Sequence, residues 1–270
     1  GWPSLGVLPW FEQASRLPAE DVMDLPARSR SGGHGLVIAV PQLPRISNFD
    51  DLDPLAAEPS VDLRMITNGM PIPADTDLIL LAGSKSTIAD LADLRSAGWD
   101  IDIAAHVRRG GHVMGLCGGY QMLGKTISDP DGIEGPAGIV AGLGHLDVDT
   151  VLEPVKHLAL SEGQHLASGT SLNGYEIHIG RTDGPDCARP WLRLGSTNEG
   201  ASTQKGRVLG CYLHGIFASD AFRSAYLGAL GAASTVIFED QIEQTLDALA
   251  AHMEAYFDLD ALIAAAAEVS

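Results

Sequence analysis

The stretch "GLCGGYQMLGKT" (residues 115–126) satisfies two incompatible patterns, and the choice between them decides both fold and chemistry. Read from Gly119, it matches the phosphate-binding pattern G-x-x-x-x-G-K-[ST], with Lys125 and Thr126 in register. Read from Gly115, it sets Cys117 between small residues at the end of an apolar run, the arrangement of a sharp strand-to-helix turn that presents a nucleophile. A phosphate cradle needs a flexible glycine-rich turn whose backbone N–H groups converge on the anion. Here the variable positions are Tyr120, Gln121, Met122 and Leu123, bulky residues suited to a helix, and no nucleotide-binding partner element follows downstream. The elbow requires a strand, a nucleophile with small neighbours and a helix that begins at once, and "HVMGLCGGYQML" (112–123) supplies each. Gly115 and Gly119 relieve crowding at such a turn, and Gly118 lets a backbone N–H approach a reacting oxygen. A cysteine at a helix start also feels the positive end of the dipole, which favours thiolate.

A thiol nucleophile needs a base. "YLHGIF" (212–217) ends an apolar run with His214 beside Gly215, which makes this ring the candidate.

Around the elbow, "LVIAV" (36–40), "VDLRMI" (61–66) and "DLILLAG" (77–83) are short apolar runs of the kind found in strands buried on both faces. Residues 86–111 carry the spacing of two helices that end in glycine. Strands alternating with helices predict an α/β domain, a mostly parallel sheet with helices on both faces. Alternating segments at 142–151, 174–183, 191–196 and 206–217 read as further strands of the same domain, some antiparallel. The Ala-rich end is helical, and its Asp and Glu stand where a membrane-surface helix would carry Lys and Arg.

With 270 residues and 45% hydrophobic content, the chain can bury a large core. Its 35 acidic against 17 basic residues, a formal charge of -18, disfavour nucleic acid. No apolar run is long enough to span a bilayer and the start lacks the order of a secretory signal, so a soluble, cytoplasmic protein is expected. Cys117, Cys187 and Cys211 show no metal-like spacing; they suit a reducing compartment, and no metal site is expected. "LPARSRSGGHG" (25–35) reads as a linker, with a domain boundary near Ser31 to Gly35. The opening "GWPSLGVLPW" reads as a strand and loop of something longer.

Taken together and in order, "GLCGGYQMLG", "GYEIHIGRT" and "YLHGIF" resemble the class I (triad-type) glutamine amidotransferase domain of the cobyric acid synthase and cobyrinate diamide synthase group. "PRISNFDDLDPL" (44–55), "LAGSKSTIADLADLR" (81–95) and "SDPDGIEG" (128–135) narrow the resemblance to the cobyric acid synthase branch. The resemblance implies a flavodoxin-like domain at 35–235, preceded by a remnant of an ATP-dependent synthetase domain and linker (1–34) and followed by a helical tail packed on the domain (236–270). It implies Cys117 as nucleophile and His214 as general base and acid. It further implies an oxyanion hole from the Gly118 N–H and a donor around Gly83 and Ser84. Gln121, Tyr175, Glu176 and His178 are its candidate substrate contacts.

One departure stands out. Many relatives in the wider class carry Glu two residues after the catalytic His, where this chain has Ile216. Glu176 or His178 could orient the imidazole instead, or line the pocket. Lys85 reads as a solvated helix-start residue. Glutamine is the implied substrate, with a corrinoid as partner through the synthetase domain; ATP and Mg²⁺ belong to the complete enzyme, with no cofactor in this chain. Two alternatives stay open: a related ligase acting on another carboxylate such as a cell-wall lipid, and an interaction domain that kept the fold without the activity.

Overall fold

The apolar runs of the first half become neighbours in one sheet. The computed structural model describes residues 4–17 and 35–267. Its first elements are β1 (Leu36–Pro41), β2 (Ile46–Ser47), α1 (Asp53–Ala57), β3 (Val61–Ile66), β4 (Leu78–Leu81) and β5 (Gly83–Ser84). They are followed by α2 (Thr87–Ser96), α3 (Trp99–Arg108), β6 (His112–Leu116) and α4 (Gly118–Leu123). All residues of β1 and β4 are buried, as central parallel strands require. Between α2 and α3 the chain turns at Gly98, which adopts φ 78° and returns its N–H to the Arg95 carbonyl.

The second half contributes β7 (Thr126–Asp129), β8 (Gly138–Ala141), β9 (Asp149–His165), β10 (Ser171–Asp183), β11 (Leu192–Leu194) and β12 (Thr197–Glu199). After them come β13 (Ala201–Ser202), β14 (Val208–Cys211), β15 (Leu213–His214) and α5 (Asp220–Ala229). The main sheet runs β13-β14-β6-β4-β1-β3, parallel throughout except for the β13 edge. The mixed α/β class with a mostly parallel sheet is therefore as expected.

The second half differs in how its strands are used. Most of them build a separate sheet, β12-β11-β9-β10-β15, in which β9 also takes β7. The segment 142–148 is not a strand. The N–H groups of Leu143 and Leu146 instead meet the Met122 and Leu123 carbonyls, satisfying acceptors that a short helix leaves open at its end. The run 206–217 also divides. At Tyr212 the chain leaves the parallel sheet, its N–H taken by Glu199 Oε1 at 2.8 Å, and from the next residue, Leu213, it pairs with β10.

Residues 35–236 form one compact unit; the described parts of 1–20 and 237–270 form another. In the latter, α6 (Phe238–Tyr256) and α7 (Leu259–Ala267) accompany a 3₁₀ turn at Glu12–Arg16. Gly6 and Phe257 form an antiparallel bridge there, and Asp258 N–H donates to Leu5 O at 2.8 Å. The expected linker at 25–35 and the boundary at its end lie outside the described residues, Gly35 apart.

Arg223 on α5 is fully buried against Glu58, with Nε 2.7 Å from Oε1, and its remaining N–H groups reach the Phe217 and Val236 carbonyls and Asp220. Removing either partner strands a buried charge. Arg223→Ala and Glu58→Ala are each expected to lower the unfolding free energy by about 3–5 kcal/mol in urea titration. Little or no loss would mean the pair is solvated.

Candidate active site

The phosphate-loop pattern resolves first. Residues 118–123 are helix and all buried, Thr126 begins β7, and Lys125 pairs with Asp147 at 2.5 Å. These residues do not fit a nucleotide phosphate.

Cys117 stands between β6 and α4 at φ 50° and ψ -107°, a conformation that costs a non-glycine residue about 1–3 kcal/mol. Its N–H is tied to Cys211 O at 2.8 Å, so the elbow is fastened to the neighbouring β14. The turn also needs glycine around it: a Cβ on Gly119 would overlap Leu81 O on β4. The nucleophile thus sits at the carboxyl end of a central parallel strand, where open α/β sheets place their ligand sites.

His214 reaches the same place on β15. Its ring is buried, Nδ1 lies 2.7 Å from Asp51 Oδ2, and Nε2 is buried without a hydrogen-bond partner. Asp51, itself 1% exposed, follows β2 in a 3₁₀ turn, and its other oxygen accepts the Gly215 N–H. Burial pulls the His214 pKa down, but the Asp51 carboxylate, reinforced by Cys117, outweighs it and pushes the value up to about 10. Tyr175 stacks on the imidazole with centroids 5.3 Å apart, while its hydroxyl donates to Asp50 and accepts from Asn48 Nδ2.

The partner of the imidazole is therefore Asp51 rather than Glu176 or His178. The position after His214 is free to be apolar, and Ile216 is fully buried. Nothing in the "NFDDLD" segment marks one aspartate as a catalytic partner. Its acidic doublet was the available signal, and 163 residues separate it from the histidine.

Cys117 opens into a cavity of about 390 Å³ whose wall includes Ser84, Lys85, Gln121, Glu134, Lys156 and His178. Gln121 and His178 thus stand at the cavity as expected, whereas Tyr175 and Glu176 do not line it. Gln121 is committed within the protein: Nε2 donates to Ile179 O at 2.9 Å and to Tyr212, and Oε1 accepts from Thr87. Tyr175 positions the imidazole, and Glu176 points to the opposite face of the β9–β10 ladder. Lys85, read as solvated, reaches the cavity wall. Sequence reasoning missed Glu134, whose Oε2 accepts the Ile88 N–H at 2.8 Å, and Lys156.

Gly118 and Gly83 close the site. A Cβ on Gly118 would come 2.9 Å from the Ser84 nitrogen, and one on Gly83 would come 3.0 Å from His214 Cε1. Lys85 N–H donates to Arg45 O across the β2–β5 pair, which makes the next pair, Ile46 and Ser84, non-hydrogen-bonded. Ser84 N–H is thereby turned away from β2.

A cysteine elbow that opens into a cavity, with a buried His–Asp pair beside it on a parallel α/β sheet, defines an amidotransferase-type cysteine site. The chain matches the CobB/CobQ-like glutamine amidotransferase domain over residues 37–222 and belongs to that family. It is 57% identical over 263 residues to the cobyric acid synthase of Ruegeria sp. (strain TM1040), covering 97% of this chain and 54% of that protein. Against the cobyric acid synthase of Paracoccus denitrificans (strain Pd 1222) the identity is 55%, with 98% and 55% covered. The chain thus spans about half the length of the curated relatives it matches. The structure of PurLQS from Thermotoga maritima shares the fold at TM-score 0.53 and 17% identity, covering 80% of this chain and 99% of that one. No helix among the described residues is long and apolar enough to cross a membrane.

The His214–Asp51 pair has a signed pH signature. A histidine whose folded pKa lies above its unfolded value stabilises the fold fully below about pH 6.5, and that contribution fades as pH rises toward about 10. Asp51→Asn should therefore be less stable than the parent at about pH 6, with the gap in melting temperature narrowing toward about pH 10. A gap independent of pH across that window would contradict a charged pair.

Proposed function

We propose that this chain is the glutaminase portion of an adenosylcobyric acid synthase, and that Cys117, His214 and Asp51 hydrolyse glutamine as one unit. The observation that carries the reading is a cysteine elbow that opens into a cavity, with a buried His214–Asp51 pair whose charge acts on Cys117, in a chain of this family. His214, held as an imidazolium by Asp51, already carries the proton, so Cys117 Sγ attacks the side-chain amide carbon of glutamine as the thiolate of a thiolate–imidazolium pair. The Gly118 and Ser84 N–H groups, with Gly83 keeping the turn tight, receive the oxyanion; one such donor is typically worth about 3 kcal/mol. His214 then protonates the leaving nitrogen. Ammonia departs, a glutamyl thioester remains, and water activated by His214 releases glutamate and restores the thiol.

Free glutamine carries an ammonium and a carboxylate beyond its amide. Glu134 and Lys156 bring opposite charges to the cavity wall, and we assign them to those two groups. His178 contributes to the wall beside them. The ammonia serves ATP-dependent amidation of adenosylcobyrinic acid a,c-diamide. ATP, Mg²⁺ and the corrinoid are bound by a synthetase portion, while residues 35–236 are the amidotransferase part; the helical tail forms a unit with the described residues of 1–20. A cytoplasmic setting agrees with three unpaired cysteines.

Glutamate release tests the assignment, measured with this chain alone and with the synthetase portion, ATP and the a,c-diamide added. Activity should vanish in Cys117→Ala and fall by about 10²–10⁴ in kcat in Asp51→Asn. Glu134→Gln and Lys156→Ala should instead raise KM for glutamine about tenfold or more, with kcat largely kept. A folded protein that releases no glutamate under any of these conditions contradicts the reading.

A further inference from the structure

Beside the cavity-wall residue His178, the β9–β10 ladder carries two side chains, His157 and Glu176, that glutamine hydrolysis does not use. Alternation along β10 puts Glu176 and His178 on one face, and the register sets His157 of β9 directly opposite His178. Glu176 Oε2 lies 3.6 Å from His157 Nε2 and 3.9 Å from His178 Nε2, and all three donor atoms fall within 4.8 Å of one another. Donors that share one zinc ion at about 2.0–2.2 Å stand roughly 3.3–3.5 Å apart, so side-chain adjustments of at most about 1.5 Å would close the set. His157, at 53% side-chain exposure, has the freedom to make the largest of them.

The surroundings orient these groups as ligands. The His178 side chain is held in place, only 12% exposed. Its Nδ1 stands 3.1 Å from Gly180 O, an atom that only accepts, which places the ring hydrogen on Nδ1 and the lone pair on Nε2. The ring plane is held by stacking on Tyr212, centroids 3.8 Å apart. Ser161 Oγ donates to Glu176 Oε1 at 2.7 Å and leaves Oε2 facing the histidines. A carbonyl behind a histidine and a hydroxyl behind a carboxylate are the outer partners that metal ligands ordinarily have. A cavity of about 860 Å³, lined in part by His157, Ser161 and Glu176, offers an entry path from solvent.

We propose that His157, Glu176 and His178 form a binding site for a late first-row divalent cation of the Zn²⁺ or Co²⁺ type, with solvent completing its coordination. Two imidazoles and one carboxylate match such ions and leave a position open, whereas Mg²⁺ and Ca²⁺ prefer all-oxygen sets. The cysteine count holds no hint of this, because no ligand is sulfur and the third ligand, His157, lies on a different strand from the other two.

The test is titration of the protein in its Cys117→Ala form, which removes the accessible thiol of the catalytic cavity, with Zn²⁺ by calorimetry and with Co²⁺ by visible absorption. One ion per chain is expected, with the d–d bands of four- or five-coordinate cobalt and no sulfur-to-cobalt charge-transfer band. His157→Ala, an exposed and structurally tolerant change, should abolish saturable binding, and Ser161→Ala should weaken it by about 10–100-fold. Absence of saturable binding, equal binding by His157→Ala, or a sulfur charge-transfer band would each overturn the proposal.

Discussion

The bond between Asp51 and His214 holds the site together. It joins a turn after the first strands to the point where the chain leaves the parallel sheet. Both groups are buried, so each depends on the other: the carboxylate needs a positive partner, and the imidazole needs an acceptor at Nδ1. The same aspartate takes the Gly215 N–H and thereby fixes the backbone that carries the ring. Tyr175 presses on the imidazole face and is itself anchored to Asp50 and Asn48, so one short segment orients the base from two directions.

The parallel sheet sets where this pair must act. β4, β6 and β14 are adjacent, and their carboxyl ends deliver the Gly83–Ser84 turn, the Cys117 elbow and the approach to His214. The strained backbone of Cys117 persists because its N–H is held by Cys211 O and because Gly119 lets α4 lie against β4. Scaffold and chemistry are coupled through close backbone approaches rather than through long side chains.

The parallel strands could be read from the sequence because a strand buried on both faces is a run of apolar residues, as β1 and β4 are and β6 nearly is, while β3 at the edge carries Asp62 and Arg64. The elbow was equally legible, since "GLCGG" packs its whole geometry into a few consecutive positions. The second sheet was less so. β9 is mostly exposed, and its length and its partners are set by β10 rather than by its own pattern. Asp51, Glu134 and Lys156 escaped for a related reason: each reaches the site from a different element, and a single acidic or basic residue in a loop looks like any solvated charge. Glu176 and His178 were singled out from "GYEIHIG" and share one face of β10, yet only His178 reaches the catalytic cavity.

The account stands on Cys117 being the nucleophile that His214 and Asp51 serve. The most direct measurement is peptide mass spectrometry after exposure to a glutamine analogue with a diazoketone in place of the side-chain amide. The account predicts one covalent adduct, on Cys117, formed quickly in the parent and slowly in Asp51→Asn. An adduct on Cys187, or labelling of Cys117 at the same rate in both proteins, would contradict it.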